Sequence, residues 1–188
     1  MFEYYENIIQ LNLPTVNLDT QKLDWKQYNP RKNIARWGAS ITSLDGKLSG
    51  IPDLDSIYEY NKIHNTNYTE SSFNHPTENF KYFDFLIQHF DLGRSHFLKL
   101  GQGGFFPPHR DFDPATFRII YTISGCEEHN LVWILNGQIL RLQNHKWYYI
   151  NTKMIHSVFS FYGSEFVVFN AVKNQKAHDS LIHLMSVK

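Results

Sequence analysis

From Arg94 onward the chain is written in short runs rich in aromatic and branched residues, each about the length of one strand. "SHFLKL", "TFRIIYTI", "NLVWIL", "QILRLQ", "KWYYIN", "IHSVFSF" and "EFVVFNAV" all fit this pattern. Turn residues separate them: Gly125, Asn136-Gly137, Asn144 and Gly163. Asn-Gly between "LVWIL" and "QILRL" is the signature of a two-residue hairpin. Closely spaced strands with tight turns predict a sandwich or a jelly roll.

Residues 1–92 read differently. "DLDSIYEYNKIHN" from Asp53 predicts a helix with Leu54, Ile57 and Tyr58 on one face. "TENFKYFDFLIQHF" sets Phe80, Phe83, Ile87 and Phe90 at helical spacing, with Thr77 as N-cap and Gly93 as stop. "GASITSLDGKLSGIPD" carries Asp-Gly and Ser-Gly turn signals and predicts a short strand or hairpin. The expectation is a mainly β chain forming a single domain over 1–188. In it, a helical and irregular N-terminal buttress, 1–92, packs on one sheet of a jelly-roll core, 93–188, that carries the metal site.

Composition narrows the class. Aromatics make up 16% of the residues, which suits packed sheet faces better than a helical bundle. The single cysteine, Cys126, excludes an internal disulfide and a multi-cysteine zinc site. Eighteen basic residues balance eighteen acidic ones with no long basic stripe, so neither nucleic acid nor an acidic membrane is expected as partner. "MFEYYENIIQLNLP" lacks the basic and apolar regions of a leader, and no apolar run approaches the roughly 20 residues that span a bilayer. A soluble, cytoplasmic protein is expected.

The stretch "GGFFPPHRDFD", residues 103–113, stiffens the backbone just ahead of His109 and Asp111. Two residues apart, these side chains share one face of a strand. A third ligand must come from elsewhere, and the candidates are His129, His145, His156, His178 and His183. His129 follows two glutamates in a loop, His145 sits in a turn, and His178 and His183 lie in the C-terminal tail. His156 opens a late strand, and early and late strands can be neighbours in a jelly roll. Two imidazoles and one carboxylate on one face of Fe(II) leave positions open for a bidentate co-substrate and dioxygen. Arg118, in "TFRIIYTI", offers a planar fork for a carboxylate, with Ile120 and Thr122 on its face and Ile119 and Tyr121 on the other.

With Gly103, "PPHRD", Arg118 and His156 in this order, the chain resembles the Fe(II)- and 2-oxoglutarate-dependent oxygenases. Within them it resembles the aspartyl/asparaginyl β-hydroxylase group. The resemblance spans residues 94–172. It implies a double-stranded β-helix, the jelly roll already expected, in which His109, Asp111 and His156 bind Fe(II). It also implies that 2-oxoglutarate is decarboxylated to succinate as dioxygen is cleaved and a substrate C–H bond is hydroxylated. The substrate is a protein side chain or a small molecule. The chain departs from the group at Phe166, where the group has a second arginine to hold the far carboxylate of 2-oxoglutarate. Arg118 or Lys99 then takes that role, or the co-substrate differs. Two other readings compete: a non-catalytic jelly-roll or cupin-like metal-binding module, and a cupin-like metalloenzyme of other chemistry. The aromatic pair Phe105-Phe106 and the stretch 53–76 either wall the pocket or serve core packing, and core packing is the expectation for at least half of them.

Overall fold

The structure, a computed structural model, describes residues 7–28 and 33–186. Residues 1–6, where the segment read for a leader begins, lie outside the described residues.

Thirteen strands and two α-helices are present among the described residues. The first half holds β1 (Ile8–Leu11), β2 (Lys26–Gln27), β3 (Arg36–Ser40), β4 (Thr42–Ser43), α1 (Ile57–His64) and β5 (His75–Pro76). The second half holds β6 (His96–Leu100), β7 (Phe105–His109), β8 (Thr116–Ser124), β9 (Leu131–Leu135) and β10 (Gln138–Leu140). It continues with β11 (Trp147–Ile150), β12 (His156–Ser160), β13 (Ser164–Val172) and α2 (Gln175–Ser186). All seven runs read as strands are strands.

Strands β6 to β13 form two sheets in the order of a double-stranded β-helix. The larger sheet runs β1-β11-β8-β13-β6-β3-β2 and the smaller one β10-β9-β12-β7, with all pairs antiparallel. Their facing sides bury Leu98, Ile120 and Phe166 against Trp133, Leu135 and Val158. Asn136 and Gly137 both take positive φ, 50° and 79°, in the hairpin that joins β9 to β10.

The alternation of β8 sorts its side chains as expected. Phe117, Ile119 and Tyr121 enter the core behind the large sheet, while Ile120 lies between the sheets. Arg118 and Thr122 share the parity of Ile120. What covers the outer face differs from expectation. The 77–90 segment forms two 3₁₀ turns, Glu78–Tyr82 and Asp84–Gln88, in place of an α-helix. Thr77 still caps the first, accepting from the Asn79 N–H. The buried apolar residues are Phe83, Leu86 and Phe90, with Phe80 partly buried, and Ile87 is 55% exposed. Spacing of 80, 83 and 86 is the three-residue repeat of a 3₁₀ turn, which this segment satisfies about as well as the α period. The buttress is completed by α2, through Ala177, Leu181 and Leu184. Helix α1 starts at its Ser56 N-cap, later than the predicted start at Asp53, and has no buried residue. Strands from both sides of residue 92 share the large sheet, since β3 hydrogen-bonds to β6. No helix among the described residues is long and apolar enough to cross a membrane.

Candidate metal centre

Strand β7 holds Pro107 and Pro108, which remove two backbone donors. It lies at the edge of the small sheet, and its pairing with β12 is irregular at these prolines, two settings in which a strand tolerates them. The glycines before it serve two needs, a positive φ at Gly103 and a close approach at Gly104. Gly103 has φ 70° and donates to the Ser160 carbonyl at 2.8 Å. A Cβ on Gly104 would lie 2.4 Å from the Ala35 carbonyl oxygen. The stiff approach thus docks β7 against β12.

That docking makes His109 and His156 direct register partners, with ring centroids 4.2 Å apart. Asp111 lies just past the end of β7, and its N–H donates to the Thr152 carbonyl at 3.0 Å. One ligating atom from each of His109, Asp111 and His156 falls within 4.8 Å of the others. The orientation of both rings suits a metal. Nδ1 of His109 donates to the Pro107 carbonyl at 2.7 Å, and Nδ1 of His156 to the Met154 carbonyl at 3.1 Å. A ring nitrogen that bonds a carbonyl must carry the proton, which leaves each Nε2 with a lone pair. The donor set therefore fits a divalent ion of the iron type, two imidazoles and one carboxylate. The other candidates do not join it: His129 and His145 are exposed in loops, and His178 and His183 lie on α2.

Arg118 is buried, and its guanidinium points inward. Its Nε donates to Asp111 Oδ2 at 2.7 Å, and its Nη2 lies 3.6 Å from Glu70 Oε1. Arg94 grips the same Glu70 through Nε at 2.8 Å and Nη2 at 3.0 Å, and Asn170 Nδ2 donates to Glu70 at 2.9 Å. The chain of charges runs Arg94, Glu70, Arg118, Asp111, balanced pair by pair. Burial alone would raise the carboxyls of Asp111 and Glu70. The arginines beside them prevail and hold Asp111 well below the usual carboxylate range and Glu70 below its ordinary value. Burial pushes His156 down, only partly offset by the Asp111 charge. His96 is pushed well down by burial and by the nearby Arg94 and Arg118.

Lys99 is not at the site. It follows Phe97 in the alternation of β6, on the outer face of the large sheet, where it pairs with Glu165 at 3.2 Å and lies over Trp25. The expectation that it reaches a co-substrate is corrected by this parity. Phe166 lines the inner cavity where the second arginine was sought. Phe106 also lines that cavity, while Phe105 pairs outward with Phe159.

Two spaces meet at the cluster. The inner one, about 70 Å³, lies between the sheets and is bordered by all three candidate ligands and Arg118. The outer groove, about 610 Å³, includes Tyr58, Tyr68, Glu70, Arg110 and Phe112. Part of the stretch 53–76 borders this groove, while its Leu54 and Phe73 are buried. Glu70, Arg94, His96 and Trp133 were not singled out in the sequence. Arg94 just ahead of the apolar "SHFLKL" run was the available signal, since a charge entering a core strand needs a partner; Glu70 in a polar loop gave none.

No family model matches the chain, and no curated protein matches it. Several solved structures are similar to the chain at low identity. KdgF from Halomonas sp. is 11% identical, with 84% of this chain and 93% of that one covered and a TM-score of 0.44. An oxidoreductase of the 2OG-Fe(II) oxygenase family from Burkholderia pseudomallei is 10% identical, covering 82% and 76%, with a TM-score of 0.49. An RmlC-like cupin from Shewanella frigidimarina is 13% identical, covering 46% and 70%, with a TM-score of 0.36. These likenesses assign neither family nor activity to this chain. The jelly roll stands on its own strand order and register. The narrower resemblance to the aspartyl/asparaginyl β-hydroxylase group gains no support from them.

Proposed function

We propose that the protein is an Fe(II)-dependent oxygenase that uses a 2-oxo acid and dioxygen to hydroxylate a substrate C–H bond. The observation that carries this reading is the convergence of His109, Asp111 and His156 with both Nδ1 atoms already committed to carbonyls. In this reading the three side chains hold one ion, and Arg118 keeps Asp111 ionised and oriented. Fe(II), when bound, supplies redox chemistry and open positions for a 2-oxo acid and dioxygen. The 2-oxo acid loses carbon dioxide and keeps one oxygen atom of dioxygen; the other enters the substrate. The apolar inner wall excludes water from this space. The outer groove, with Tyr58 and Phe112 exposed at its rim, is the entry for a protein side chain or a small molecule.

The test is Fe(II)-dependent release of carbon dioxide from a panel of carboxyl-labelled 2-oxo acids, 2-oxoglutarate among them, without added substrate. Slow uncoupled turnover in the natural protein and none in His109→Ala is the expected result. An ion held with no 2-oxo acid consumed or bound would instead establish a non-catalytic metal-binding module. That second reading is favoured by one observation, the apolar Phe166 on the cavity wall where the resemblance implies an arginine for the far carboxylate of the co-substrate.

A further inference from the structure

The inner cavity has an electrostatic asymmetry. All its ionised groups sit at one end. Arg118 Nε touches Asp111, so the whole guanidinium, including the buried Nη1 that has no hydrogen-bond partner among the described residues, stays beside the candidate ligands. Tyr28 and Thr152 add hydroxyls to the border, and the rest of the wall is chiefly Leu98, Ile120, Trp133, Val158, Phe166 and Val168, all buried. Trp133 and Phe166 close it, with rings 5.6 Å apart. Among the described residues no other lysine or arginine borders this space. Arg36 lies 4.5 Å from the centre of the Phe106 ring and borders the outer groove instead. Lys99 faces away.

Two further polar atoms on this wall lack partners: Trp133 Nε1 and His96 Nδ1. Indole is a neutral donor. His96 is 2% exposed, its ring 5.1 Å from that of Tyr28, and near two arginines, so it stays neutral as well. Both can hydrogen-bond to an uncharged oxygen. Neither supplies counter-charge to a carboxylate.

We infer that the cavity selects a 2-oxo acid with an uncharged tail, the keto-acid end lying at the ligand cluster beside Arg118 and the tail lying against Trp133 and Phe166. This rests on the oxygenase reading and deepens it by naming the co-substrate class. A dianion such as 2-oxoglutarate would have to desolvate its second carboxylate against apolar walls with no cation, a cost that burial of unpaired charge makes prohibitive. An acid of the same backbone ending in a methyl group gains from the same wall.

The experiment is anaerobic calorimetric titration of the Fe(II)-loaded protein with 2-oxopentanoate and with 2-oxoglutarate, which share a five-carbon backbone and differ at the tail. Absorption in the visible range reports chelation of the 2-oxo acid independently. We expect 2-oxopentanoate to bind at least about tenfold more tightly, roughly 1.4 kcal/mol. Equal or tighter binding of 2-oxoglutarate overturns the inference and leaves the oxygenase reading intact. If the protein binds Fe(II) but neither acid, the oxygenase reading itself falls. Phe166→Arg places a cation on the tail wall and should reverse the preference; should that variant not fold, the comparison in the natural protein decides alone.

Discussion

His109 and His156 face each other as register partners across β7 and β12, their ring centroids 4.2 Å apart. Cross-strand partners in an antiparallel pair project from the same face. Residues 47 positions apart in sequence are thereby fixed as neighbours by backbone pairing alone. The candidate ligands depend on this register, and a one-residue slip would turn one imidazole outward.

The first prediction follows from that. His109 is partly exposed, hydrogen-bonds to a carbonyl of its own strand and lies 3.8 Å from Asp111 Oδ1, so His109→Ala costs little stability. Fe(II) affinity should fall at least about a hundredfold while the melting temperature of the metal-free protein moves by no more than a few degrees, an effect of order 1 kcal/mol. Calorimetric metal titration and thermal unfolding measure the two. Retained affinity with the fold intact would remove His109 from the site.

Arg118 carries the second prediction. An arginine that served only as anchor for the co-substrate would leave metal binding untouched when removed. The 2.7 Å contact with Asp111 says otherwise. Losing an outer partner that orients a ligating carboxylate typically costs about 10–100-fold in metal affinity. Breaking a buried pair also destabilises by about 3–5 kcal/mol. Arg118→Ala should therefore weaken both Fe(II) binding and the fold. Combining it with Asp111→Asn should cost much less than the sum of the two, because each single change strands a buried charge. Additive costs in a double-mutant cycle would show that the pair is not coupled.

The parts legible in the sequence are those written in local chemistry. Asn136-Gly137 specified its hairpin because both residues tolerate positive φ. The alternation in β8 told which side chains accompany Arg118. His109, Asp111 and His156 were legible because strand parity and a jelly-roll topology suffice to bring them together. The 77–90 segment was misread because its aromatic spacing satisfies an α period and a three-residue period almost equally. Only the packing of Phe83 and Leu86 on the large sheet decides between them. Lys99 was misplaced because its face depends on the partner of β6, which no local signal reveals. Glu70 was invisible for the same reason: it lies 24 residues from Arg94 and 48 from Arg118.

The third prediction concerns Lys99. Its ammonium is on the outer face, 43% exposed, paired with Glu165 at 3.2 Å. Such pairs contribute about 0–1 kcal/mol. Lys99→Ala should leave Fe(II) and 2-oxo acid affinity unchanged and shift stability within that range. A loss of co-substrate binding in this variant, with the fold unaltered, would mean that β6 presents its other face to the cavity.

Asp53 supplies the last prediction, through pH. Its carboxyl is 1% exposed and hydrogen-bonded by Ser40 Oγ. Burial raises its pKa, only partly offset by that hydrogen bond and by the charge of Arg94. The folded state therefore prefers the protonated acid, while the unfolded chain ionises near pH 4. As pH climbs above that value, the unfolded state releases the proton more readily than the folded one. Stability drawn from Asp53 is present below about pH 4 and lost as pH rises through the folded pKa. Asp53→Asn keeps an oxygen to accept from Ser40 and cannot ionise. The variant should melt above the natural protein at pH 7, with the difference shrinking toward pH 4. A gain of 1 kcal/mol would appear as about 2–4 °C in a chain of this size. Glu70 has the opposite sign. Its pKa is lowered by Arg94 and Arg118 against the pull of burial, so its contribution is present above the unfolded value and lost on acidification. Glu70→Gln should therefore destabilise at pH 7, and the two variants should move the melting temperature in opposite directions in the same buffer. If both move it downward at pH 7, Asp53 is held ionised in the fold, and the Arg94 charge outweighs burial there as it does at Glu70.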